Sequence, residues 1–235
     1  MKKFVLLILL ALSSCKRDQA IPDVKFPDPE TQFIKRNQID TTFIFYRQET
    51  QGPEIKTYKT YDRNGHVLFD STSMVGFERI YYDSRGLPVK IETSTDHSEV
   101  SIDLASYKFD NASRILEQTW TSGEERRYRL DYKGRVAEMI RLILSANKKI
   151  EQEKIIYKYD NGRLMGSLSF WKGGRTPDVK IDYYYSTNDV LDSSVMKVST
   201  DKLLYRSFYD KDGLLERQYH GDYLDTRRFL HKRRV

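Results

Sequence analysis

A chain of 235 residues is long enough to bury a sizeable core. Its formal charge of +6 comes from basic residues spread along the chain, which argues against a nucleic-acid reader with one concentrated basic face. The single cysteine excludes a disulfide framework, so stability must rest on packing.

The first residues read as a targeting segment. Lys2 and Lys3 precede a short apolar run, Phe4 to Leu12, too short to span a bilayer comfortably. The run ends in Leu12-Ser13-Ser14-Cys15, which resembles a bacterial lipobox. That resemblance implies a lipoprotein signal peptide over 1–14 and acylation of Cys15, with membrane attachment through the lipid. Lys16 stands where, by resemblance to bacterial sorting rules, an Asp would favour inner-membrane retention. The expected location is therefore the cell envelope, at the outer membrane, on its periplasmic side or the surface. Residues 15–40 carry Pro22, Pro27 and Pro29 among polar residues and read as a tether. Residues 41–235 read as one domain.

Within that domain one motif recurs roughly every twenty to thirty residues. Its Asp falls at Asp62, Asp83, Asp110, Asp131, Asp160 and Asp210, and Ser186 replaces it in a degenerate copy. A large residue stands just before it: Tyr61, Tyr82, Phe109, Leu130, Tyr159, Tyr185 and Tyr209. A turn residue follows: Gly65, Gly86, Ser113, Gly134, Gly162, Asp189 and Gly213. An apolar residue then returns at Val67, Ile115, Val136, Leu164, Leu191 and Leu215, with Pro88 in the remaining copy. Aromatics two apart share one strand face, Asp closes an Asx-turn, and Gly supplies positive φ. Each copy thus predicts a strand end, a tight turn and an antiparallel return. Polar or Gly-bearing segments between the copies supply further turns. The sum is an all-β antiparallel meander of about sixteen short strands, forming a curled or rolled sheet. The stretch 135–144 has helical spacing of Val136, Met139, Ile140 and Ile143, but its place after a motif turn makes it a strand.

"DYKGRV" at 131–136 and "YDNGRL" at 159–164 resemble the YD repeats of the Rhs family. The resemblance spans residues 54–220 and implies a continuous curling sheet. It is nearer in kind to small Rhs-like lipoproteins of the Bacteroidetes than to the large toxin-enclosing shells. A toxin-neutralising partner role is one function that this association implies.

In "EKIIYKYD", Ile155, Tyr157 and Tyr159 share a face opposite Lys154 and Lys158. An aromatic face of that kind must be covered, so the sheet should roll up as a soluble form. The four histidines lie at no ligand-like spacing, and the Asp turns lack the remaining oxygens of a calcium loop. No metal or cofactor is expected, and no nucleophile elbow or phosphate loop is present. The expectation is a non-enzymatic scaffold or binding protein with an envelope glycan or protein partner. An envelope polysaccharide hydrolase is the alternative. Trp120 and Trp171, each beside an intervening turn, are the candidate ligand-stacking pair if those turns share a rim. Core packing is the other reading of both indoles.

Overall fold

The computed structural model describes residues 20–47, 55–71, 76–95, 99–146, 148–199, 202–221 and 226–234. Among these residues one short helix, α1 (Thr31–Arg36), precedes sixteen strands. The first eight are β1 (Ile39–Arg47), β2 (Ile55–Tyr61), β3 (Val67–Asp70), β4 (Phe77–Tyr82), β5 (Pro88–Ser94), β6 (Ser101–Asp110), β7 (Ile115–Trp120) and β8 (Glu125–Leu130). The rest are β9 (Val136–Ser145), β10 (Lys148–Asp160), β11 (Arg163–Trp171), β12 (Val179–Tyr185), β13 (Leu191–Val198), β14 (Leu203–Tyr209), β15 (Leu215–His220) and β16 (Thr226–Arg233). Each strand pairs with the next, and β1 also pairs with β16, so the all-β meander closes into a barrel. Phe43 of β1 faces both Tyr58 of β2 and Leu230 of β16. The stretch with helical spacing is strand β9. The basic C-terminal run 227–234 contributes the closing strand β16, because its backbone completes the ladder whatever its charge.

His231 fastens this seam. Its Nδ1 accepts from the Thr42 hydroxyl of β1 at 2.8 Å, and its Nε2–H donates to the Leu215 carbonyl of β15 at 2.7 Å. One imidazole thus bridges the strands on both sides of β16. Burial holds its pKa below the ordinary histidine value, which keeps this neutral arrangement.

In an up-and-down barrel alternate turns lie at the same end. The seven motif turns join β2–β3, β4–β5 and so on to β14–β15, so all seven gather at one mouth. Four of them share one hydrogen-bond plan, and Asp110 keeps part of it. Asp62 Oδ1 accepts from the Asn64 and His66 backbone N–H groups at 2.7 and 2.9 Å. Asp83, Asp131 and Asp210 accept in the same way from residues two and four further on. Asp110 caps Ala112 N–H and the Ser113 hydroxyl, and Arg114 takes the positive φ. That extra loop residue moves the buried return position from Ile115 to Leu116, which is fully covered. In the Gly86 copy the buried residue is Leu87.

The Asp160 copy departs from the plan. Asp160 pairs with Arg163 as the last strand residue, and Asn161 and Gly162 both take positive φ. This is a two-residue turn closed by Asn-Gly, not an Asx-turn closed by Asp160. One residue fewer leaves no backbone N–H groups for the carboxylate to collect.

The aromatic before the Asp has a second task. Tyr82 donates its hydroxyl to the Val67 carbonyl, Tyr159 to Val136 and Tyr185 to Leu164, at 2.8–3.0 Å. Each acceptor lies at the start of the preceding repeat's return strand. Tyr107 does the same for Pro88 at 2.6 Å from one register step away. The ladder between the two strands has already ended there, Glu138 with Ile156 being the last pair of β9 and β10, so a carbonyl would otherwise lack a donor. The phenol therefore locks each repeat to the one before it.

The segment expected as a tether is, from Ala20 onward, packed across the motif-turn mouth. Lys25 exchanges backbone hydrogen bonds with Gly134 and Val136, at 2.9 and 3.1 Å. Ile21, Val24 and Phe26 pack on a core of Leu87, Phe109, Leu116, Tyr128, Leu130 and Val136. Phe33 and Ile34 of α1 join Ile39, Tyr61, Leu191 and Leu214 in a second core. The prolines keep this strap extended, and its apolar residues find two cores to fill. Strap and turns touch at glycines. A Cβ on Gly134 would stand 2.5 Å from the Asp23 carbonyl oxygen, and one on Gly65 equally near that of Thr31.

Two predictions test this construction. Tyr159→Phe and Tyr185→Phe should each cost about 1 kcal/mol in denaturant unfolding, the worth of one hydrogen bond. Gly134→Ala and Gly162→Ala both force a side chain into positive φ, at about 1–2 kcal/mol each. Only Gly134 faces the strap, since nothing lies within 4 Å of a Cβ at Gly162. Gly134→Ala should therefore cost more and should speed amide exchange at Lys25, whereas Gly162→Ala should leave that amide unchanged.

Candidate functional site

A sixteen-strand barrel is wider than its own inward side chains can fill. The strap and the phenols lie at one end, where a cleft of about 710 Å³ remains between strap and turns, and a basin at the other end forms the candidate site. The inward faces are polar as well as aromatic. Tyr128 donates to Gln118 Oε1, and Gln118 Nε2 donates to the Tyr107 hydroxyl, at 2.9 and 2.5 Å. Gln118 is completely covered. Burial pushes Tyr61, Tyr82, Tyr107, Tyr157, Tyr183 and Tyr209 well above the ordinary phenol range, so they remain hydroxyl donors.

At the mouth away from the strap lies a basin of about 380 Å³. It is lined by Glu78, Ile91, Thr93, Asp103, Trp120 and Arg126, together with the turn Thr121-Ser122 and Glu124. Two of the three carboxylates are already clamped. Asp103 accepts from the Thr121 hydroxyl and from the N–H and hydroxyl of Ser122, at 2.6–2.9 Å. Burial opposes its charge, but those hydrogen bonds outweigh it and hold the carboxyl below the usual range. Glu124 is gripped by Arg126 at 2.6 Å and Arg141 at 2.8 Å. Glu78 differs: burial, and then the neighbouring Asp70, push its pKa up. Trp120 is only 3% exposed, and its Nε1 has no hydrogen-bond partner.

A second cavity, about 290 Å³, lies under the strap between Glu30, Tyr183, Ser194, Ser207, Tyr209 and Gln218. Glu30 sits just before α1, and the Tyr209 hydroxyl faces its Oε1 at 3.4 Å. Burial, aided by Asp28, raises its pKa to about 7. No cluster of metal-binding side chains occurs among the described residues.

The candidate indoles separate. Their turns do share the mouth away from the strap, because both follow odd-numbered strands. Trp120 is buried against the basin, whereas Trp171 is 56% exposed and is not part of that lining. The turn Asp and Gly residues build the opposite mouth and line no part of the basin. Cys15 lies outside the described residues. Sequence reasoning missed Glu78, Asp103, Glu124 and Arg126. The one available signal was parity, since Arg126, Tyr128 and Leu130 alternate with Arg127 and Arg129.

The outward face mixes aromatics with charge. Phe43, Tyr58, Phe69 and Phe77 form a ladder of rings across β1 to β4, with neighbouring centroids 5.3–6.4 Å apart. Lys56 caps Phe43 and Arg79 caps Phe69. The charged face expected from the sequence thus also carries rings, which pair across strands under cationic side chains.

No family model matches this chain, and no curated protein matches it. Solved structures do. A porin-like protein from Bacteroides uniformis is 11% identical, over 90% of this chain and 100% of that one, with a TM-score of 0.37. A porin-like protein from Bacteroides vulgatus is 11% identical, over 83% and 99%, with a TM-score of 0.40. The TcdB2-TccC3 structure without its hypervariable C-terminal region is 12% identical over 81% of this chain, with a TM-score of 0.31. The present chain spans 13% of that one. All three are loose likenesses.

Glu30 gives a pH prediction. Its ordinary value of 4.5 rises to about 7 on folding, so between these values the folded chain holds a proton that the unfolded chain releases. Its contribution to stability is complete below the ordinary value and is lost as pH rises through about 7. Glu30→Gln fixes the uncharged state. The variant should gain melting temperature relative to the native chain at pH 8 and match it at pH 5.

Proposed function

We propose that this chain is a non-catalytic, lipid-anchored barrel of the cell envelope that presents a ligand-binding lumen. The observation that carries the reading is the division of the barrel's ends. One mouth is crossed by the chain's own strap, and the other keeps an uncrossed polar basin beside the buried Trp120. Acylation at Cys15 leaves five residues to Ala20, a reach of at most about 18 Å. The strapped mouth then stands toward the bilayer surface, and the basin is held away from it.

The outer face supports a barrel that stands outside the bilayer. Arg79, Glu92, Arg127 and Lys154 project from the middle of their strands. Each Arg or Lys at a bilayer midplane costs about 2–4 kcal/mol.

One observation favours the hydrolase reading as a second possibility. Burial raises Glu78 while hydrogen bonds hold Asp103 low, a split that suits an acid and a base. Against it, all of Asp103's hydrogen bonds pin the turn at 121–122, and Glu124 is held by two guanidinium groups. Release of reducing ends from envelope polysaccharide, lost in Glu78→Gln, would establish the hydrolase instead.

The anchor is tested by labelling cells with an alkyne fatty acid. The native chain should take the label and sediment with the envelope. Cys15→Ala should lose the label and leave the envelope fraction. Envelope association without labelling would remove lipidation from the reading.

A further inference from the structure

We infer that the outer wall across β14, β15, β16, β1 and β2 is a docking surface for an acidic polysaccharide, a chain of sugar rings that carry carboxylates. This surface is separate from the basin and takes only the envelope location from the reading above.

The carrying feature is one row of the sheet's register. Phe208 stands opposite Arg217, Arg217 opposite Arg228, Arg228 opposite Phe45 and Phe45 opposite Lys56. Phe45 shares the outer face of β1 with Phe43, two residues away, so the whole row faces outward. In the next row Arg206 faces Tyr219. Cations thus fall on four of these five neighbouring strands and alternate with rings. Lys56 and the three arginines come from opposite ends of the chain, and the β1–β16 seam runs between them. Only closure of the barrel gathers them.

Their pairing is unlike that of the wall across β4 to β9. There the outward arginines meet carboxylates: Arg79 on Glu92 at 3.0 Å, Arg127 on Glu125 at 2.6 Å and Arg129 on Glu138 at 3.5 Å. Among the described residues neither Arg206 nor Arg228 has an ion-pair partner, and Arg217 reaches only Glu216, at 3.7 Å. Arg217 and Arg228 are direct cross-strand neighbours. Their Cβ atoms stand about 5 Å apart, and like charges so placed destabilise a sheet. An anion between them offsets that repulsion. Arg206, Phe208, Arg217 and Tyr219 also line a depression of about 360 Å³ whose lining includes no carboxylate.

Chemistry selects the occupant. A guanidinium fork matches a planar carboxylate with two parallel hydrogen bonds. A polymer with one acid on each ring sets its charges in a line, as this row does, and its C–H groups rest on ring edges and arginine stems. A single-stranded nucleic acid also brings anions, but it needs open ring faces for successive bases. Here Phe208 and Tyr219 meet edge to face at 5.7 Å, and Lys56 covers Phe43 and Phe45 at 4.5 and 5.7 Å. A bilayer is flat, whereas five strands of a closed barrel form a convex wall, so a bilayer meets only part of the row.

The purified full chain is titrated by calorimetry with a six-ring oligogalacturonate and with its methyl ester, which has the same rings without the charge. Saturable binding of the acid, at least ten-fold tighter than the ester, is expected. Arg217→Gln and Arg228→Gln should each weaken it at least five-fold. Neither should lower the melting temperature, because each removes one of two opposed like charges. Arg79→Gln and Arg129→Gln take the same charge from the paired wall and should leave the affinity within two-fold.

Equal losses in both sets of variants would reduce the binding to net charge and overturn the inference. So would no saturable binding of the acid, or a melting temperature that falls in both row variants. Tighter binding of oligothymidylate, lost in the row variants, would overturn it in favour of nucleic acid. Row-dependent binding of phosphatidylglycerol vesicles without binding of the oligosaccharide would overturn it in favour of a lipid surface. Fatty-acid labelling at Cys15 with no oligosaccharide binding would leave the envelope anchor standing and remove only this surface.

Discussion

A sheet of sixteen strands has two edges, and both must be dealt with. Exposed edges pair with other chains, so the cheapest remedy within one chain is for β1 and β16 to pair with each other. An even-numbered meander makes these two strands antiparallel, and His231 reaches across the seam to Thr42 and Leu215. Closure then creates its own difficulty. A barrel of this circumference encloses more space than its inward side chains can occupy. The strap, the row of phenols and the remaining basin all follow from that mismatch.

The two ends meet it differently. At the motif-turn mouth the repeat brings seven tight turns together, and the strap lies across them. Gly134 and Gly65 do two jobs at once there: they take the positive φ of the turn and let the strap's backbone come close. At the other mouth the intervening turns vary in length, and no strap crosses them among the described residues. Polar residues that would be costly in a filled core persist there because they face a cavity or one another. Arg126, Glu124 and Arg141 form one such group, and Asp103 with Thr121 and Ser122 another.

Every repeat also illustrates how a turn signal becomes tertiary structure. The Asp collects the backbone N–H groups of its own loop, while the neighbouring Tyr reaches into the previous repeat and satisfies Val67, Val136 or Leu164. Local and non-local bonds therefore come from adjacent residues. The Asn161-Gly162 copy keeps the phenol bond of Tyr159 although its Asp has lost its turn role. The inter-repeat bond thus tolerates a change of turn type that the Asx bond does not.

The sequence by itself determined the strands, their number and their turns, because period-two alternation and Asp–Gly turn chemistry act over a few residues. It placed Tyr128 and Leu130 inward and Arg127 outward for the same reason. Tertiary structure decided the rest. Residues 20–38 look like a tether by composition, since prolines and polar groups weaken local structure, but the two cores at the strapped mouth draw in Ile21, Phe26 and Phe33. Trp120 and Trp171 occupy like positions beside like turns, yet one is buried and one exposed, because burial depends on what lies across the lumen. The basin joins Glu78 of β4 to Arg126 of β8, residues far apart in sequence. Only the curvature of the closed sheet turns their side chains toward the same space.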